Sequence, residues 1–241
     1  MSRFYVSAEL AEGGQTELPD NVVRHLNVLR LRSGEEIVLF NGNGNAYPAR
    51  LDILEKRRAT ATVLREEAVC NESPLDITLI QAVSSGERMD FTLQKSVELG
   101  VNRIQPVISS RSIVRLTGER ADKRISRWQE IVISACEQSG RNVIPEVLPL
   151  LSYSDALATL PDNRTKLLMS LNRPQTLTRI QPLSDGIIFM VGPEGGWTAA
   201  EETQAFDAGF QAVTLGKRIL RTETASLAAI AAMQTLWGDF G

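Results

Sequence analysis

Two segments near the C-terminus contain the residues with the clearest capacity for chemistry. Residues 191–197 (VGPEGGW) place three glycines around a glutamate, and residues 215–225 (LGKRILRTETA) place three cations beside a second glutamate. Each segment follows a short apolar run and precedes a helical pattern. Loops between the strands and helices of an α/β layer are where such a fold binds a ligand. The two segments therefore predict one ligand site built from two strand-to-helix loops.

The first segment differs from the common nucleotide-binding loops. It lacks the Lys-Ser/Thr pair of a P-loop, and its glycines do not follow the Gly-x-Gly-x-x-Gly spacing. Glycine lets a ligand approach the backbone closely, whereas Glu194 inside the loop would repel a phosphate. Thr198 and Glu201 have the spacing of a capping box, which predicts a helix start directly after the loop. A tight turn without a ligand is the alternative interpretation of this segment taken alone.

The second segment places positive charge where a helix begins. Lys217, Arg218 and Arg221 precede the final helical pattern, although the positive end of a helix dipole disfavours cations. Thr222 or Thr224 is expected to cap that helix. Capping alone does not account for three cations and a glutamate at a helix start, so we expect an anionic or polar partner here.

The composition narrows the classes of protein and site. The chain has 241 residues, of which 43% are hydrophobic and 23% are charged, with two cysteines and a single histidine. A disulfide scaffold, a four-ligand zinc site and a histidine-based triad are therefore not expected, and no metal is predicted. We interpret Cys70 and Cys136 as ordinary buried thiols.

The charge distribution is uneven along the chain. The net charge of −3 argues against non-specific coating of nucleic acid, but residues 111–127 contain six Lys or Arg against two acids. That run is either a solvated helix face or a face that binds nucleic acid. No apolar stretch has the roughly 18 residues that a membrane helix needs, and the N-terminus has no signal-peptide pattern. A cytoplasmic protein without a membrane partner is expected.

Residues 1–70 are predicted to form a small β-barrel module. Runs rich in β-branched and aromatic residues predict strands at 3–6, 36–40, 46–51 and 59–64. One helix is predicted at 20–29 from its apolar face. Residues 41–44 (NGNG) predict a hairpin turn rather than a phosphate loop. Polar residues and a proline at 70–74 indicate a linker.

Residues 75–241 change to alternating strands and helices. Helical faces lie at 87–99 and 120–138, and a further helix is expected after each of the two C-terminal loops. Alternation of this kind predicts an α/β fold with a parallel sheet covered by helices. The apolar runs that predict its strands are 77–83, 104–108, 167–171, 187–191 and 212–215.

The two C-terminal segments together resemble the cofactor-binding loops of the SPOUT methyltransferases, and among these the RsmE family. Residues 25–31 (HLNVLRL) resemble that family's N-terminal domain. Residues 95–101 (KSVELGV) and 135–141 (ACEQSGR) resemble its central motifs, so the resemblance extends across the chain. The RsmE family methylates N3 of one uridine in the 16S ribosomal RNA of the small subunit.

The resemblance implies a fold, a cofactor and partners. The C-terminal half would be a trefoil-knotted SPOUT domain, a rare exception to unknotted topology, and the N-terminal module would be a PUA-like barrel that binds RNA. S-adenosyl-L-methionine would bind in the knot. The active site would lie at a homodimer interface, and the partner would be small-subunit ribosomal RNA or an assembled 30S subunit.

The resemblance also implies roles for individual residues. N3 of uracil must lose its proton, and the negative charge that spreads to O2 and O4 would be stabilised by Arg221 first and Arg218 second. Glu223 would act as the base or orient an arginine. Leu171 would pack on the adenine or in the core, and the core is the simpler interpretation. The residues expected to hold the cofactor are Leu171, Val191, Gly192, Glu194, Gly195, Gly196, Leu215, Gly216, Ile219, Leu220, Thr222 and Ala225.

RNA contacts are expected from cations in both halves of the chain. His25 is expected to be a packed or capping histidine rather than a catalytic one. The residues expected to bind RNA are Arg3, Arg24, Arg30, Arg32, Arg111, Arg115, Lys123, Arg124 and Arg141.

Other functions stay open at the level of the sequence. A SPOUT methyltransferase with another RNA target or another target atom would have the same loops, because cofactor binding does not specify the methylated atom. A non-catalytic RNA-binding or assembly factor would keep the fold without binding the cofactor. A nucleotide-dependent regulator is disfavoured by the missing phosphate motif.

Overall fold

The computed structural model describes residues 1–69, 71–114, 116–183 and 186–241. Cys70, interpreted above as a buried thiol, and Arg115, expected to bind RNA, lie outside the described residues. The chain divides into two compact units. Met1–Glu72 and Cys136–Ile144 form the first, and Ser73–Ala135 and Pro145–Gly241 form the second. The division drawn from the sequence differs in one respect, because it assigned residues 136–144 to the C-terminal half.

A mainly antiparallel sheet and one helix make up the first unit. The strand order is β1-β3-β4-β5-β2, with β6 paired to β4, and only the β1–β3 pair is parallel among these described strands. The four predicted strands and the predicted helix are confirmed. Two very short strands, β2 and β6, have no alternation long enough to predict. The elements are β1 (Arg3–Tyr5), β2 (Gln15–Glu17), α1 (Asp20–Val28), β3 (Glu36–Phe40), β4 (Asn45–Leu54), β5 (Ala59–Val63) and β6 (Glu67–Ala68).

The turn between β3 and β4 confirms the hairpin prediction. Gly42 and Gly44 have φ values of 90° and 98°, a conformation that glycine adopts without a steric cost. The side-chain oxygen of Asn43 accepts the backbone N–H of Asn45 at 2.9 Å. The turn sets the register in which Leu39 pairs with Tyr47, both of them buried.

The second unit alternates strands and helices along the chain. The last residues of α3, from Cys136 onward, belong to the first unit. The short elements between α3 and β11, and the pair β12 and α5, were not given bounds from the sequence. The elements are β7 (Ile77–Ala82), α2 (Gly86–Glu98), β8 (Arg103–Ile108), α3 (Glu119–Ser139), β9 (Glu146–Val147), β10 (Leu151–Ser152), α4 (Tyr153–Ala158), β11 (Thr165–Met169), β12 (Gln175–Thr176), a 3₁₀ turn (Leu177–Arg179), β13 (Ile187–Val191), α5 (Ala199–Asp207), β14 (Gln211–Thr214) and α6 (Thr222–Trp237).

A parallel sheet forms the centre of the second unit, as predicted. Its strand order is β10-β8-β7-β13-β11-β14-β12, with β9 paired to β8, and each of these described pairs is parallel. Every residue of β13 is buried, which is typical of a strand covered by helices on both faces. Because β13, β11 and β14 are neighbours and run in the same direction, the segments that follow them emerge at one edge of the sheet. Among the described residues no helix is long and apolar enough to cross a membrane.

A buried ion pair fixes the return segment 136–144 within the first unit. Arg141 is only 4% exposed, and its Nε and Nη2 donate to Oε2 of Glu72 at 2.9 and 2.5 Å. The other carboxylate oxygen of Glu72 accepts the backbone N–H of Val143. Removing one partner of a buried pair leaves the other charge without compensation.

We expect Arg141→Ala to lower the free energy of unfolding by about 3 kcal/mol, because Glu72 would keep its charge without the guanidinium. Urea unfolding followed by circular dichroism measures the change. Arg50→Ala is the matched control, since Arg50 is about half exposed and lies 3.9 Å from Asp52. The control should lose less than about 1 kcal/mol. Equal losses in both variants would contradict a structural role for the buried pair.

Candidate active site

A cavity of about 520 Å³ lies at the carboxyl edge of the parallel sheet. Its walls come from the segments after β11, β13 and β14 and from the first turn of α6. The size is within the range of about 300–1,000 Å³ that small-molecule sites occupy. The predicted meeting of the two loops therefore forms a concave site large enough for a ligand.

The cavity brings together the residues predicted to hold a cofactor, apart from Gly216, which does not line it. The predicted catalytic residues Arg218, Arg221 and Glu223 line the same cavity. Leu171 is 63% exposed at the wall, so its interpretation as core is wrong. Pro193 and Trp197 of the predicted segment 191–197 also line it, and the lining residues that the sequence did not indicate are Arg88, Met169, Ser170, Glu202 and Thr214.

A buried hydrogen-bond network joins the two loops. The hydroxyl of Thr222 donates to the carbonyl oxygen of Gly192 at 2.6 Å and accepts from Nε2 of Gln81 at 3.0 Å. The hydroxyl of Ser226, one turn further along α6, donates to Oε1 of Gln81 at 2.7 Å. Gln81 and Ser226 are fully buried and Thr222 is 6% exposed. The start of α6 is thereby fixed against the end of β13 and against β7.

This network replaces the helix cap that the sequence predicted. Arg221 occupies the N-cap position of α6, and its side chain makes no capping hydrogen bond. Thr222 is the first helical residue and directs its hydroxyl to Gly192. The cap assignment to Thr222 or Thr224 is therefore wrong, because the hydroxyl of Thr222 has a partner from another loop.

Glu194 is held by the N-terminus of α2. Its Oε1 accepts the backbone N–H and the hydroxyl of Ser85, each at 3.0 Å, and Nη1 of Arg88 at 3.1 Å. Burial acts to raise the pKa of Glu194, but these hydrogen bonds outweigh it and keep the pKa below the ordinary value. The carboxylate is therefore ionised at neutral pH and faces the cavity as a negative charge.

Arg111 and Glu201 fix the conformation of the glycine-rich loop. Nη1 of Arg111 donates to the carbonyl oxygens of Gly195 and Trp197 at 2.8 and 3.1 Å. Glu201 completes the predicted capping box with Thr198 and also accepts the backbone N–H of Ser110. Burial opposes these bonds, which nevertheless lower the pKa of Glu201. The loop after β8 is thus attached to the loop after β13.

Close contacts favour glycine at two positions of this loop. A Cβ on Gly192 would lie 3.2 Å from the indole ring of Trp197, which is 9% exposed. A Cβ on Gly195 would lie 3.1 Å from Cβ of Arg111. The backbone of the loop is therefore packed against its own supporting side chains, and its other side faces the cavity.

The charged groups of the second loop have unused hydrogen-bonding capacity. Arg218 and Arg221 are exposed, and neither forms a hydrogen bond or ion pair through its side chain with another described residue. Oε2 of Glu223 is buried and has no hydrogen-bond partner among the described residues. Glu223 therefore does not orient either arginine in this structure. The neighbouring Ile219 is 86% exposed, an apolar side chain at the cavity wall.

Glu202 adds a third carboxylate to the cavity. Its Oε1 accepts the hydroxyl of Ser170 at 2.5 Å, and its Oε2 accepts Nδ2 of Asn172 at 3.3 Å. The sequence offered no motif around this residue. Its position on the inner side of α5 becomes apparent only when the helix packs beside the segment after β11.

The expected RNA-binding residues differ in whether their side chains are available to a ligand. Arg141 is buried against Glu72, and Arg3 donates to the side chain of Asn142, with its guanidinium 5.2 Å from the ring of Phe40. Burial lowers the pKa of Arg3. The guanidinium of Arg141 is therefore used inside the fold, and its assignment to RNA is corrected. Arg3 is half-buried and its Nε has no partner among the described residues, so its contact with RNA stays a prediction. Arg111 is exposed, but part of its guanidinium binds the glycine-rich loop. The remaining described residues of the set are exposed or half-buried: Arg24, Arg30, Arg32, Lys123 and Arg124.

The single histidine and Cys136, the described cysteine, are both packed against other residues of the fold. The ring of His25 packs edge-on against Phe4, with 5.3 Å between centroids. Cys136 is a free, buried thiol, as predicted, and burial raises its pKa to about 12. Within the described residues, no three His, Cys, Asp or Glu side chains are grouped so as to hold a metal ion.

Comparison with known proteins places this geometry in a family. A family profile described as an RNA methyltransferase domain matches residues 71–234, and one described as an RNA methyltransferase PUA domain matches residues 18–64. The chain is 34% identical over 212 residues to ribosomal RNA small subunit methyltransferase E of Buchnera aphidicola, covering 88% of this chain and 86% of that protein. The chain belongs to the ribosomal RNA small subunit methyltransferase E family.

Solved structures of similar proteins contain a ligand. Ribosomal RNA small subunit methyltransferase E from Neisseria gonorrhoeae, bound to S-adenosyl methionine, is 68% identical with a TM-score of 0.97 over 100% of both chains. A Legionella pneumophila protein, described as a candidate methyltransferase in complex with the same cofactor, is 35% identical. Its TM-score is 0.94 over 99% of this chain and 98% of that chain.

We expect Thr222→Val to lower the free energy of unfolding by about 2 kcal/mol, because the buried carbonyl of Gly192 loses its donor and the shape of the side chain is kept. Thr203→Val is the control, since Thr203 is exposed and its hydroxyl donates to the carbonyl oxygen of Ala199 in the same helix. The control should change stability by less than about 0.5 kcal/mol. Urea unfolding of both variants measures the difference, and an equally small effect at position 222 would show that the network does not stabilise the fold.

Proposed function

We propose that this protein uses S-adenosyl-L-methionine to methylate N3 of a specific uridine in 16S ribosomal RNA, and that it does so in the cytoplasm. The observation that carries the proposal is the cavity in which residues 191–197 and 215–225 meet. Membership of the ribosomal RNA small subunit methyltransferase E family supports it, as does the cofactor bound to the relative from Neisseria gonorrhoeae.

The charges of the cavity fit this cofactor better than a nucleotide polyphosphate. Glu194, Glu202 and Glu223 all line the cavity. Glu202 and Glu223, which form no ion pair with a described residue, oppose a chain of phosphates. Beside a single carboxylate, the cofactor carries a positive sulfonium, a positive ammonium and two ribose hydroxyls. Carboxylates are suitable partners for all of these groups. We propose that the glycine-rich loop and the segment 215–220 hold the cofactor through their backbone groups.

When bound, S-adenosyl-L-methionine supplies an electrophilic methyl group on sulfur. The residues of this chain have the tasks of placing uridine and managing its charge. Arg221, with Arg218 beside it, is proposed to donate to the uracil oxygens as N3 loses its proton. Glu223 is the candidate acceptor of that proton, because its buried Oε2 has no other partner among the described residues.

We propose that the second unit is a trefoil-knotted SPOUT domain and the first a PUA-like barrel. The parallel strand order β7-β13-β11-β14 and the match to a PUA domain at residues 18–64 support this assignment. A homodimer with the active site at its interface is part of the proposal. Its support is the outer face of α6, where Leu227, Ala228, Ala231, Ala232 and Leu236 are apolar and Thr235 among them is polar.

The proposed macromolecular partner is small-subunit ribosomal RNA, free or in the assembled 30S subunit. Exposed or half-buried cations on each unit support this partner. Arg24, Arg30 and Arg32 lie on the first unit, and Lys123 and Arg124 lie on α3. Phosphate contacts of this kind provide affinity without reading the base sequence.

Incubation of purified small subunits, and separately of 16S RNA, with labelled S-adenosyl-L-methionine tests the proposal directly. We expect label in 3-methyluridine at one position, identified by nucleoside mass spectrometry. Label in another nucleoside would replace the proposed target with a different one. A protein that stabilises the subunit but shows no thermal shift with S-adenosylhomocysteine would be a non-catalytic binding factor.

We expect Arg221→Ala to lower the turnover number about 100-fold, the usual effect of removing one donor to a developing negative charge. Because the side chain is exposed and has no partner among the residues that the structure describes, folding and S-adenosylhomocysteine affinity should be kept. Single-turnover kinetics and calorimetry measure the two quantities. Loss of cofactor binding with normal turnover at saturating cofactor would assign Arg221 to the cofactor instead. Lys217→Ala, which removes a cation of the same loop outside the cavity lining, is the control.

A further inference from the structure

Arg88 is a cation at the cavity wall that no motif indicated. It lies in the first turn of α2 and is 44% exposed, so it belongs to the mouth of the cavity rather than to its interior. The positive end of a helix dipole disfavours a cation in a first turn. A basic residue at this place therefore needs a negative charge close to it.

Glu194 supplies that charge and orients the guanidinium. Its Oε1 accepts Nη1 of Arg88 while Ser85 fixes the same oxygen through a backbone N–H and a hydroxyl. The guanidinium of Arg88 uses only Nη1 with a described residue. The rest of the guanidinium, including Nη2 and Nε, is therefore held in place with its N–H groups available to a ligand.

The position of Arg88 favours a phosphate of the RNA over the cofactor. Arg218 and Arg221 line the same cavity and have no side-chain partner in the described part of the chain, so three arginines line this cavity. A guanidinium presents paired donors that match a phosphate group. A target base that enters the cavity brings its own backbone phosphates to its mouth, and these are the anions nearest to a half-exposed arginine.

We propose that Arg88 binds a backbone phosphate beside the target nucleotide and that Glu194 is its positioning residue. The inference rests on the proposed function and deepens it, because it names a substrate contact of the same site. Arg88 selects for a polynucleotide substrate, and Glu194 acts on the RNA through Arg88 in addition to its place in the cofactor cavity.

Steady-state kinetics of the full-length Arg88→Ala protein test the proposal with 16S RNA or small subunits as substrate. The KM for RNA should rise about tenfold, as expected for a lost hydrogen bond to a charged group. The slope of log affinity against log salt concentration should become shallower by about 0.7, the value for one single-strand phosphate contact. The affinity for S-adenosylhomocysteine should stay within about threefold of the wild type.

Arg103→Ala is the matched control. Arg103 is 43% exposed and paired with Asp76 at 3.5 Å, but it begins β8 and so lies at the opposite edge of the sheet. It should change neither the KM for RNA nor the salt slope. Arg88→Lys keeps the charge and should retain the salt slope. This variant tests the phosphate contact even if the alanine variant folds poorly.

The role of Glu194 is tested by a double-mutant cycle. Glu194→Gln should raise the KM for RNA in the wild-type background and have little further effect in the Arg88→Ala background, because the two residues act as one unit. An Arg88→Ala protein that loses S-adenosylhomocysteine affinity while its KM for RNA is unchanged would overturn the proposal and assign Arg88 to the cofactor. If the wild type did not bind S-adenosylhomocysteine, the proposed function would be refuted. The effect of Arg88→Ala on RNA affinity would still be measured, so the two failures can be told apart.

Discussion

The hydrogen bond from Thr222 to the carbonyl of Gly192 is the constraint on which the site depends. It joins the end of the central strand β13 to the start of α6, and Gln81 and Ser226 enclose it in a buried network. In a buried environment such a bond is costly to break, because each polar atom would be left without water. The two loops are therefore held in one relative arrangement before any ligand arrives.

The sequence predicted the secondary-structure elements and the location of the site. It did not predict which polar residues form hydrogen bonds or ion pairs inside the fold. Strands such as Glu36–Phe40 and Ile187–Val191 were predicted with their observed bounds, since periodicity and apolar runs are local signals. The roles of Thr222, Arg111 and Arg141 depend on residues distant in sequence, and local rules assigned them to a cap or to RNA. Arg88 was missed for the same reason, because its partner Glu194 is distant in sequence.

Charge at the site is divided between groups that have internal partners and groups that do not. Glu194, Glu201 and Arg111 are fixed by several hydrogen bonds and define the shape of the glycine-rich loop. Arg218, Arg221 and Oε2 of Glu223 have no such partners among the described residues. Charged groups without internal partners are the ones that remain available to a substrate.

The position of β13 also has a consequence for how the protein is made. The residues of β13 pair with β7, which is synthesised much earlier. During synthesis β7 therefore leaves the ribosome long before β13, its partner strand, has been made. Until then one apolar edge of the nascent sheet stays unpaired, and pairing distant segments slows folding. The C-terminal third completes both the sheet and the cavity. A chain truncated before residue 187 would therefore lack its central strand and is expected to aggregate rather than to keep a partly active fold.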